Sequence, residues 1–295
     1  TYCELSHFML LSDFTDKYEL GKRGCDPKRL KEIRDNELDT CGDGEWFDAK
    51  AEKCETIMNR DGKAIYAYVI RQEQPSNKWA IVCHGYTSRP HQMSSMARRY
   101  YSYGFNIIGP CARAHDKSEH KCCTMGWFER LDILDWIHHV VKNDPTAEII
   151  MHGISMGAAT TMMLSGEENL PISITHFIED CGYTSAWDEF EGELAKQFSL
   201  PAFPLLHLTS FLCDAMYGWN FTEASALKQV VKCPKPMLFI HGDADDFVPT
   251  WMVHPLHEAH QGQKQLWLTE GVDHAHSYRY FPEEYTGMVM AFLFR

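Results

Sequence analysis

The sequence predicts an α/β fold in which a mainly parallel, twisted sheet carries helices on both faces. Short, continuously apolar segments, typical of strands buried on both faces, alternate along the chain with helix-like segments. The 295 residues suit one large domain or two small ones, and 44% of them are hydrophobic, which is enough for a substantial core. Because such sheets bind ligands at the carboxyl ends of their strands, we expect a functional site there.

The predicted elements follow one another with few interruptions. A charged, helix-like lead has Pro27 at a helix start, and a hairpin follows whose turn signal is Asp61-Gly62. Core strands are predicted at KWAIVCHG, FNIIGP, EIIMHG, ISITHFIED, KPMLFIHG and KQLWLTEG. Helices are predicted at HQMSSMARRYYSYG, at GWFERLDILDWIHHVVKND with apolar positions 128, 131, 134, 137 and 141, at SMGAATTMML, and near 250–261 and 282–294.

The alternation of strands and helices stops between Cys181 and Lys232. This stretch is helical, rich in aromatic residues and punctuated by proline. We therefore expect a single domain over 1–295, with an N-terminal helical lead (1–53), a core (54–181 and 232–295) and a small helical cap insertion (182–231). A helical excursion that leads away from the site is the alternative.

Charge and composition exclude several classes of partner. The formal net charge of −13 argues against binding to nucleic acid and to anionic lipid. Three of the 16 histidines, His254, His257 and His260, have helical spacing, but no carboxylate completes a ligand set, so we expect no metal and no cofactor. A homodimer is compatible with the sequence.

The 11 cysteines show no zinc-site spacing, and the simplest reading is reduced, mostly buried thiols in a cytoplasmic protein. If disulfides form, Cys41 with Cys54 is the first candidate pair. No segment reaches the roughly 18 apolar residues that span a bilayer, so no integral membrane segment is expected. A removed N-terminal signal or anchor would instead place the protein at the cell surface.

The segment IIMHGISMGAAT contains a Gly-x-Ser-x-Gly motif between an apolar strand and a helix rich in small residues. In this context the serine occupies a sharp strand-to-helix turn that exposes its hydroxyl, although the motif alone also arises by chance. We therefore predict Ser155 as a nucleophile. The residue after it, Met156, would donate one backbone N–H to an oxyanion. The loop HGYTS after an earlier strand offers the second donor at Tyr86, whose side chain would line the acyl pocket.

The general base and its orienting acid are expected at two further strand ends. FIHGDADDFVP offers Asp243, Asp245 and Asp246, and TEGVDHAHSY offers His274 and His276. The pattern HG-x-x-D-x-x-V-P resembles the acid loop of the α/β-hydrolase superfamily. That resemblance implies Asp245 as the acid, with Asp246 as the fallback, and its G-x-x-H pattern implies His274 as the base, ahead of His276.

The resemblance extends from about residue 55 to the C-terminus and is strongest to bacterial serine α/β-hydrolases described as cell-surface hydrolases or esterases. The segments that carry it are HGYTS, MGWFERLDILDWI, HGISMGAAT, DCGYTSAWDEF, FPLLHL, EASALKQV and HGDADDFVP. One loop departs from the pattern: in GPCARAHDKSEH, Cys111 stands where aspartate is usual, and Ala114, Asp116 and His120 stand where glycine is usual. Because those glycines serve left-handed backbone positions, this loop is expected to be strained or reshaped.

The resemblance implies a serine hydrolase that cleaves carboxylic esters of small to medium acyl groups through an acyl-enzyme. Tyr86 and Trp187 are the predicted substrate-binding residues. A peptidase or acyltransferase using the same three residues is the first alternative. Acidic residues to bind a free amine would favour the peptidase, with solvated charges as the simpler reading of the candidates, which are Glu179, Asp180, Asp188 and Glu189. A non-catalytic binding protein that retains the fold is the alternative from another class.

Overall fold

The computed structural model of the protein describes residues 41–51 and 54–294, with the backbone alone at residue 41. The strands are β1 (Cys54–Met58), β2 (Ala64–Ile70), β3 (Lys78–Cys83), β4 (Asn106–Pro110), β5 (Glu148–Ile154), β6 (Ile174–Asp180), β7 (Met237–Gly242) and β8 (Lys264–Thr269). The helices are α1 (Cys41–Lys50), α2 (Ser94–Ser102), α3 (Glu129–Asn143), α4 (Met156–Ser165), α5 (Ala186–Phe198), α6 (Leu205–Tyr217), α7 (Ala226–Val230), α8 (Val253–Ala259), α9 (Ser277–Tyr280) and α10 (Pro282–Leu293). Short 3-10 helices precede α2 and α8, at Pro90–Met93 and Thr250–Met252.

All eight strands form one sheet, in the order β1-β2-β4-β3-β5-β6-β7-β8. The pairs β1–β2 and β2–β4 are antiparallel, and every other pair is parallel. The carboxyl ends of β3 to β8 therefore lie along one edge of the sheet. The predicted fold class is confirmed, and so is the hairpin, in which Gly62 takes a φ of 71° at the turn between β1 and β2.

The sheet separates two hydrophobic cores, and adjacent residues of a central strand point into different ones. In β6, Phe177 belongs to the core that includes α3, α4 and parts of the 182–231 insertion. Its neighbour Ile178 belongs to the core formed with α1, α2 and α10. Both residues are fully buried. This two-sided burial explains why the central strands read as continuous apolar runs.

The buried stripe of α3 differs from the predicted one. Its buried apolar residues are Ile133, Leu134, Trp136, Ile137 and Val140, whereas the predicted positions 128, 131 and 141 are only half-buried. The stripe is rotated because the first turn of the helix carries buried charges instead of apolar contacts. In that turn Asp132 accepts two hydrogen bonds from the guanidinium of a buried arginine, at 2.6 and 2.7 Å.

Three helices, α5, α6 and α7, lie between β6 and β7, and no described residue of that stretch belongs to a strand. The division of the chain into lead, core and cap stays a prediction. The part of the lead that contains Pro27 falls outside the described residues. Within residues 41–51 and 54–294, no helix combines the length and the apolar character that crossing a bilayer requires.

The cysteines whose side chains the structure describes are free thiols, and none of them is in a disulfide. Cys54 is one of them, and the side chain of its candidate partner Cys41 lies outside the described residues. Burial raises the pKa of the Cys83 thiol to about 12, because the low-polarity interior disfavours the thiolate. Such a buried thiol behaves as a small hydrophobic side chain.

Candidate active site

Ser155 lies between the last residue of β5 and the first residue of α4. Its backbone has φ 56° and ψ −119°, which is a strained conformation for a residue with a side chain. The strain is held by two hydrogen bonds: its N–H donates to the Asp180 carbonyl at 2.9 Å, and its carbonyl accepts from Ala159 N–H at 3.0 Å. This is the strand-to-helix turn that the Gly-x-Ser-x-Gly motif predicts.

The two glycines of the motif are required by close approaches of the backbone. A Cβ on Gly153 would lie 2.1 Å from the Gly157 carbonyl oxygen, and a Cβ on Gly157 would lie 2.1 Å from the Cys83 carbonyl oxygen. Backbone atoms cannot move aside as a flexible side chain can. Glycine at both positions therefore allows the turn to pack against the end of β3.

A hydrogen-bonded chain joins the ends of three strands. His274 Nε2 lies 2.8 Å from Ser155 Oγ, and His274 Nδ1 lies 2.7 Å from Asp245 Oδ2. With its proton on Nδ1, the imidazole donates to the carboxylate and accepts from the serine hydroxyl. The predicted nucleophile, base and acid are therefore brought together in one geometry. Ser155 and Asp245 are buried, and His274 is half-buried.

Asp245 is held in its ionised form. Its burial acts to raise the pKa of the carboxyl, but the nearby His274 and His241 outweigh this, so the pKa lies well below the usual range. Oδ1 accepts the N–H groups of Phe247 and Val248, both at 3.0 Å, and His241 Nε2 lies 3.4 Å from Oδ2. The carboxylate is therefore fixed in orientation before any substrate binds.

The other candidates for acid and base have different contacts. Asp243 Oδ1 accepts a backbone N–H at 2.6 Å. Asp246 lies 3.3 Å from the ammonium of Lys196. His276 Nδ1 lies 2.5 Å from Asp273 Oδ1, so this histidine is paired with a carboxylate outside the chain that ends at Ser155.

The backbones of both predicted oxyanion donors flank Ser155. Met156 directly follows it and is buried. A Cβ built on Gly85 would lie 3.3 Å from Ser155 Cβ, so the chain passes the serine side chain immediately before Tyr86. The Tyr86 ring lies 5.5 Å from the ring of His115, in the loop after β4.

Sequence analysis missed the role of His84 in supporting this loop. Its Nδ1 lies 2.8 Å from the Gly85 carbonyl oxygen, and its Nε2 accepts the Ala112 N–H at 3.1 Å. Burial lowers its pKa to about 4, which keeps the ring neutral so that Nε2 can accept. His115 Nε2 similarly accepts the Thr87 N–H at 3.0 Å. The signal available in the sequence was the His-Gly pair itself.

The atypical loop after β4 takes the backbone shape expected of a glycine-containing loop. Ala114 has φ 61° and Asp116 has φ 46°, so both occupy the left-handed region that the usual glycines favour. His120, at the third position where glycine is usual, does not have a positive φ. Arg113 anchors the loop through its buried ion pair with Asp132.

Trp187 belongs to α5 of the insertion. Its indole N–H donates to Glu191 at 3.1 Å, and its ring lies 4.8 Å from the ring of His207 in α6. Its backbone N–H donates to the Phe221 carbonyl at 3.1 Å. These contacts fix Trp187 within the insertion, and its predicted role in substrate binding stays a prediction.

The carboxylates considered for amine binding are not free surface charges, which corrects the simpler reading. Asp188 accepts hydrogen bonds from hydroxyl groups at the start of α5. Glu179 and Asp180 are fully buried in β6, and Glu189 is 4% exposed. Burial raises the pKa of Glu179 to about 8 and that of Asp180 to about 6. Asp180 Oδ2 also accepts from the Tyr285 hydroxyl at 2.9 Å.

Among the residues that the structure describes, one set of side chains brings potential metal ligands together. Ligand atoms of Cys181, Asp245 and His274 lie within 4.8 Å of one another. Asp245 and His274 already hydrogen-bond each other in the chain that ends at Ser155. A metal at this position would therefore compete with that chain.

We compared the chain with known protein families, sequences and solved structures. No protein-family model matches the sequence. The chain is 28% identical over 274 residues to the uncharacterized protein YqkD of Bacillus subtilis, covering 92% of this chain and 88% of that protein. The esterase Pf2001 of Pyrococcus furiosus superposes with a TM-score of 0.65 at 26% identity, covering 82% of this chain and 91% of the esterase.

A more distant likeness involves a peptidase. The acylaminoacyl peptidase of Pyrococcus horikoshii superposes with a TM-score of 0.60 at 18% identity, and the match covers 82% of this chain but 41% of the peptidase. At this identity the likeness is one of fold alone. The chain is an α/β-hydrolase superfamily member, and its structural likeness to esterases supports a hydrolase function.

Proposed function

We propose that the protein is a serine hydrolase that cleaves carboxylic esters of small to medium acyl groups through an acyl-enzyme. The observation that carries this proposal is the hydrogen-bonded chain from Ser155 Oγ through His274 to Asp245, which begins at a strained strand-to-helix turn. A serine hydroxyl is a weak nucleophile unless a base removes its proton, and this arrangement supplies the base and its orienting acid.

The proposed reaction has two halves. His274 Nε2 takes the Ser155 proton as Oγ attacks the ester carbonyl carbon, and the imidazolium then protonates the leaving alcohol. In the second half, His274 activates water, which attacks the acyl-serine and releases the carboxylic acid. Asp245 stabilises the imidazolium in both halves, because its low pKa keeps it ionised throughout.

The negative charge that develops on the carbonyl oxygen requires fixed donors. The backbone N–H groups of Met156 and Tyr86 are the proposed donors. Their support comes from the position of Met156 at the start of α4 and from the close approach of Gly85 to Ser155. The contacts of His84 with Gly85 and Ala112 would keep the second donor loop in place.

The test is hydrolysis of p-nitrophenyl acetate and butyrate by the purified protein. We expect measurable turnover in the wild type and its loss in Ser155→Ala. Ser102→Ala, which removes a hydroxyl at the exposed end of α2, should keep the wild-type rate. Undiminished hydrolysis by Ser155→Ala would overturn the assignment. Parallel assays with aminoacyl-nitroanilides, and with alcohols as acyl acceptors, separate the esterase from a peptidase or an acyltransferase.

A further inference from the structure

The second helix of the insertion turns an apolar face to solvent. Along α6 and the segment before it, large hydrophobic side chains are between 45% and 71% exposed. They are Phe198, Leu200, Phe203, Leu205, Leu208, Phe211 and Met216. Within the described residues nothing covers them. We refer to these seven residues as the α6 face.

The α6 helix is packed against the rest of the protein on its inner side, so the exposure of its outer side does not result from a helix without contacts. Leu206 and Ser210 are buried on the inner side of α6, and Ser210 Oγ accepts the Phe221 N–H at 3.1 Å. With about 3.6 residues per turn, positions 205, 208, 211 and 216 fall on the opposite side. The inner side of the helix is therefore held by Leu206 and by the hydrogen bond of Ser210, and its outer side is apolar and exposed.

The α6 face is large for a monomer. Its seven side chains present on the order of 700 Å² of apolar surface, estimated from their exposed fractions and the usual size of such side chains. The largest apolar patch on a typical monomer is about 300–600 Å². A standard stable interface buries about 800 Å² on each partner. The size of the face therefore matches what a protein–protein interface requires.

The charge pattern indicates which partner fits. Residues 198–217 contain a single charged residue, Asp214, whereas the whole chain carries a formal net charge of −13. Two copies of this chain carry like net charge and repel each other, and the nearly uncharged α6 face adds little to that repulsion. A two-fold contact places the same patch on both subunits, so an apolar and nearly uncharged face is complementary to itself.

We propose that the α6 face docks a second copy of this chain in a two-fold symmetric homodimer. The chain's own residues 1–40 are the alternative occupant, and deletion of that segment distinguishes it from a second copy in the experiment below. An anionic lipid surface would meet no lysine or arginine in 198–217.

The dimer would also steady the helices that border the acid loop. The His207 ring of α6 lies 4.8 Å from Trp187 of α5 and 5.6 Å from Phe203. Farther along α5, Lys196 donates to the Asp246 carbonyl at 2.7 Å, next to Asp245. A contact on α6 is thereby connected through α5 to the candidate active site.

The experiment is sedimentation equilibrium of the full chain at several concentrations, with Phe211→Glu and Leu208→Glu as test variants. Ile172→Glu is the matched control, because Ile172 is 91% exposed and precedes β6 at the amino end of the sheet, away from α6. We expect a wild-type dimer and a dissociation constant at least about 30-fold weaker in each test variant, as for loss of a central interface residue. The control should dimerise like the wild type, and unchanged circular dichroism would show that the variants fold.

Salt gives a second readout. Because the two subunits carry like net charge, higher ionic strength should maintain or tighten the dimer, whereas an interface made of ion pairs would loosen. A wild-type monomer throughout the concentration series would overturn the proposal, and so would a dimer insensitive to both α6 variants. Dimerisation only after deletion of residues 1–40 would identify that segment as the occupant. Binding of the wild-type monomer to neutral phosphatidylcholine vesicles, lost in Phe211→Glu, would identify a lipid surface; either outcome also contradicts the proposal.

Discussion

The strand-end loops and the helical insertion of this protein are constrained in different ways. Around the candidate active site the constraint lies in the backbone. Ser155, Cys181 and Ala275 all have positive φ, and a Cβ on Gly157 would lie only 2.1 Å from the Cys83 carbonyl oxygen. In the insertion Ser199 is the non-glycine residue with positive φ, and the helices contact each other through side chains, such as Trp187 with His207.

The two kinds of constraint leave different traces in the amino-acid sequence. Backbone constraints restrict each position to very few residue types, so they leave motifs that can be recognised. Packing within the insertion accepts many apolar side chains of suitable size, so the sequence there shows only a high content of apolar residues and no recognisable motif. The chemistry of the protein is therefore easier to infer than its substrate or its partners. Four predictions test this contrast.

The largest effect is expected at the proposed base. His274→Ala should lower kcat/KM for p-nitrophenyl butyrate by roughly 10^4-fold or more, because the serine then has no group to take its proton. His276→Ala, two residues away and paired with Asp273, should stay within about threefold of the wild type. Comparable losses in both variants would mean that the loop as a whole, and not one imidazole, supports the reaction.

The acid should show the next largest effect. Asp245→Asn should lower kcat by roughly 10^3-fold, since the imidazole loses the carboxylate that orients it and stabilises its charged form. Asp246→Asn breaks only a half-exposed contact with Lys196 and should cost little. Steady-state kinetics of the two variants provide the comparison. The reverse order of effects would move the acid to the fallback position.

A buried carboxyl of β6 should make stability depend on pH. The pKa of Glu179 is raised to about 8 from an ordinary 4.5, so between these values the folded state holds a proton that the unfolded state has released. The free energy of unfolding therefore falls as pH rises through this window. In Glu179→Gln the fall between pH 5 and pH 8 should be smaller by about 3–4 kcal/mol.

Urea unfolding at the two pH values measures this effect. Glu148→Gln, which alters an exposed carboxylate at the start of β5, is the control and should keep the wild-type dependence. If Glu179→Gln loses as much stability as the wild type between pH 5 and pH 8, another group is responsible.

The smallest effect is expected in the insertion. If Trp187 contributes to the acyl pocket, Trp187→Ala should change the ratio of kcat/KM for butyrate and acetate esters severalfold while the acetate rate changes little. Trp46→Ala, in α1 near Tyr101, removes a similar ring elsewhere and should leave the ratio unchanged. An unchanged ratio in Trp187→Ala, together with lower stability, would assign Trp187 to packing within the insertion.

Most of the fold could be predicted because the strands buried on both faces are continuous apolar runs with helices between them. The hairpin was recognisable from Asp61-Gly62, and the residues that meet at the candidate site were recognisable because each follows a strand. The stripe of α3 was predicted less well, because buried charges such as Asp132 displace apolar contacts in its first turn. The spacing of apolar residues gives no information about buried ion pairs, so it could not predict which side of the helix faces the core in this turn.

The supporting residues of the site were harder to predict. His84 and His241 act through contacts with backbone or with Asp245 across the strand ends, and such contacts leave no spacing in the sequence. The exposed α6 face was also not predicted, because apolar helix residues read equally well as buried core. Which side of a helix remains uncovered depends on the tertiary arrangement.

Covalent trapping is the most direct test of Ser155 as a nucleophile activated by His274. The protein is treated with a fluorophosphonate, which reacts with activated serines, and intact-mass and peptide mass spectrometry then locate the adduct. We expect one equivalent on Ser155, none in Ser155→Ala, and labelling slowed by at least a hundredfold in His274→Ala. Labelling of an active preparation at a residue other than Ser155 would contradict this assignment. Labelling of Ser155 in His274→Ala as fast as in the wild type would also contradict it.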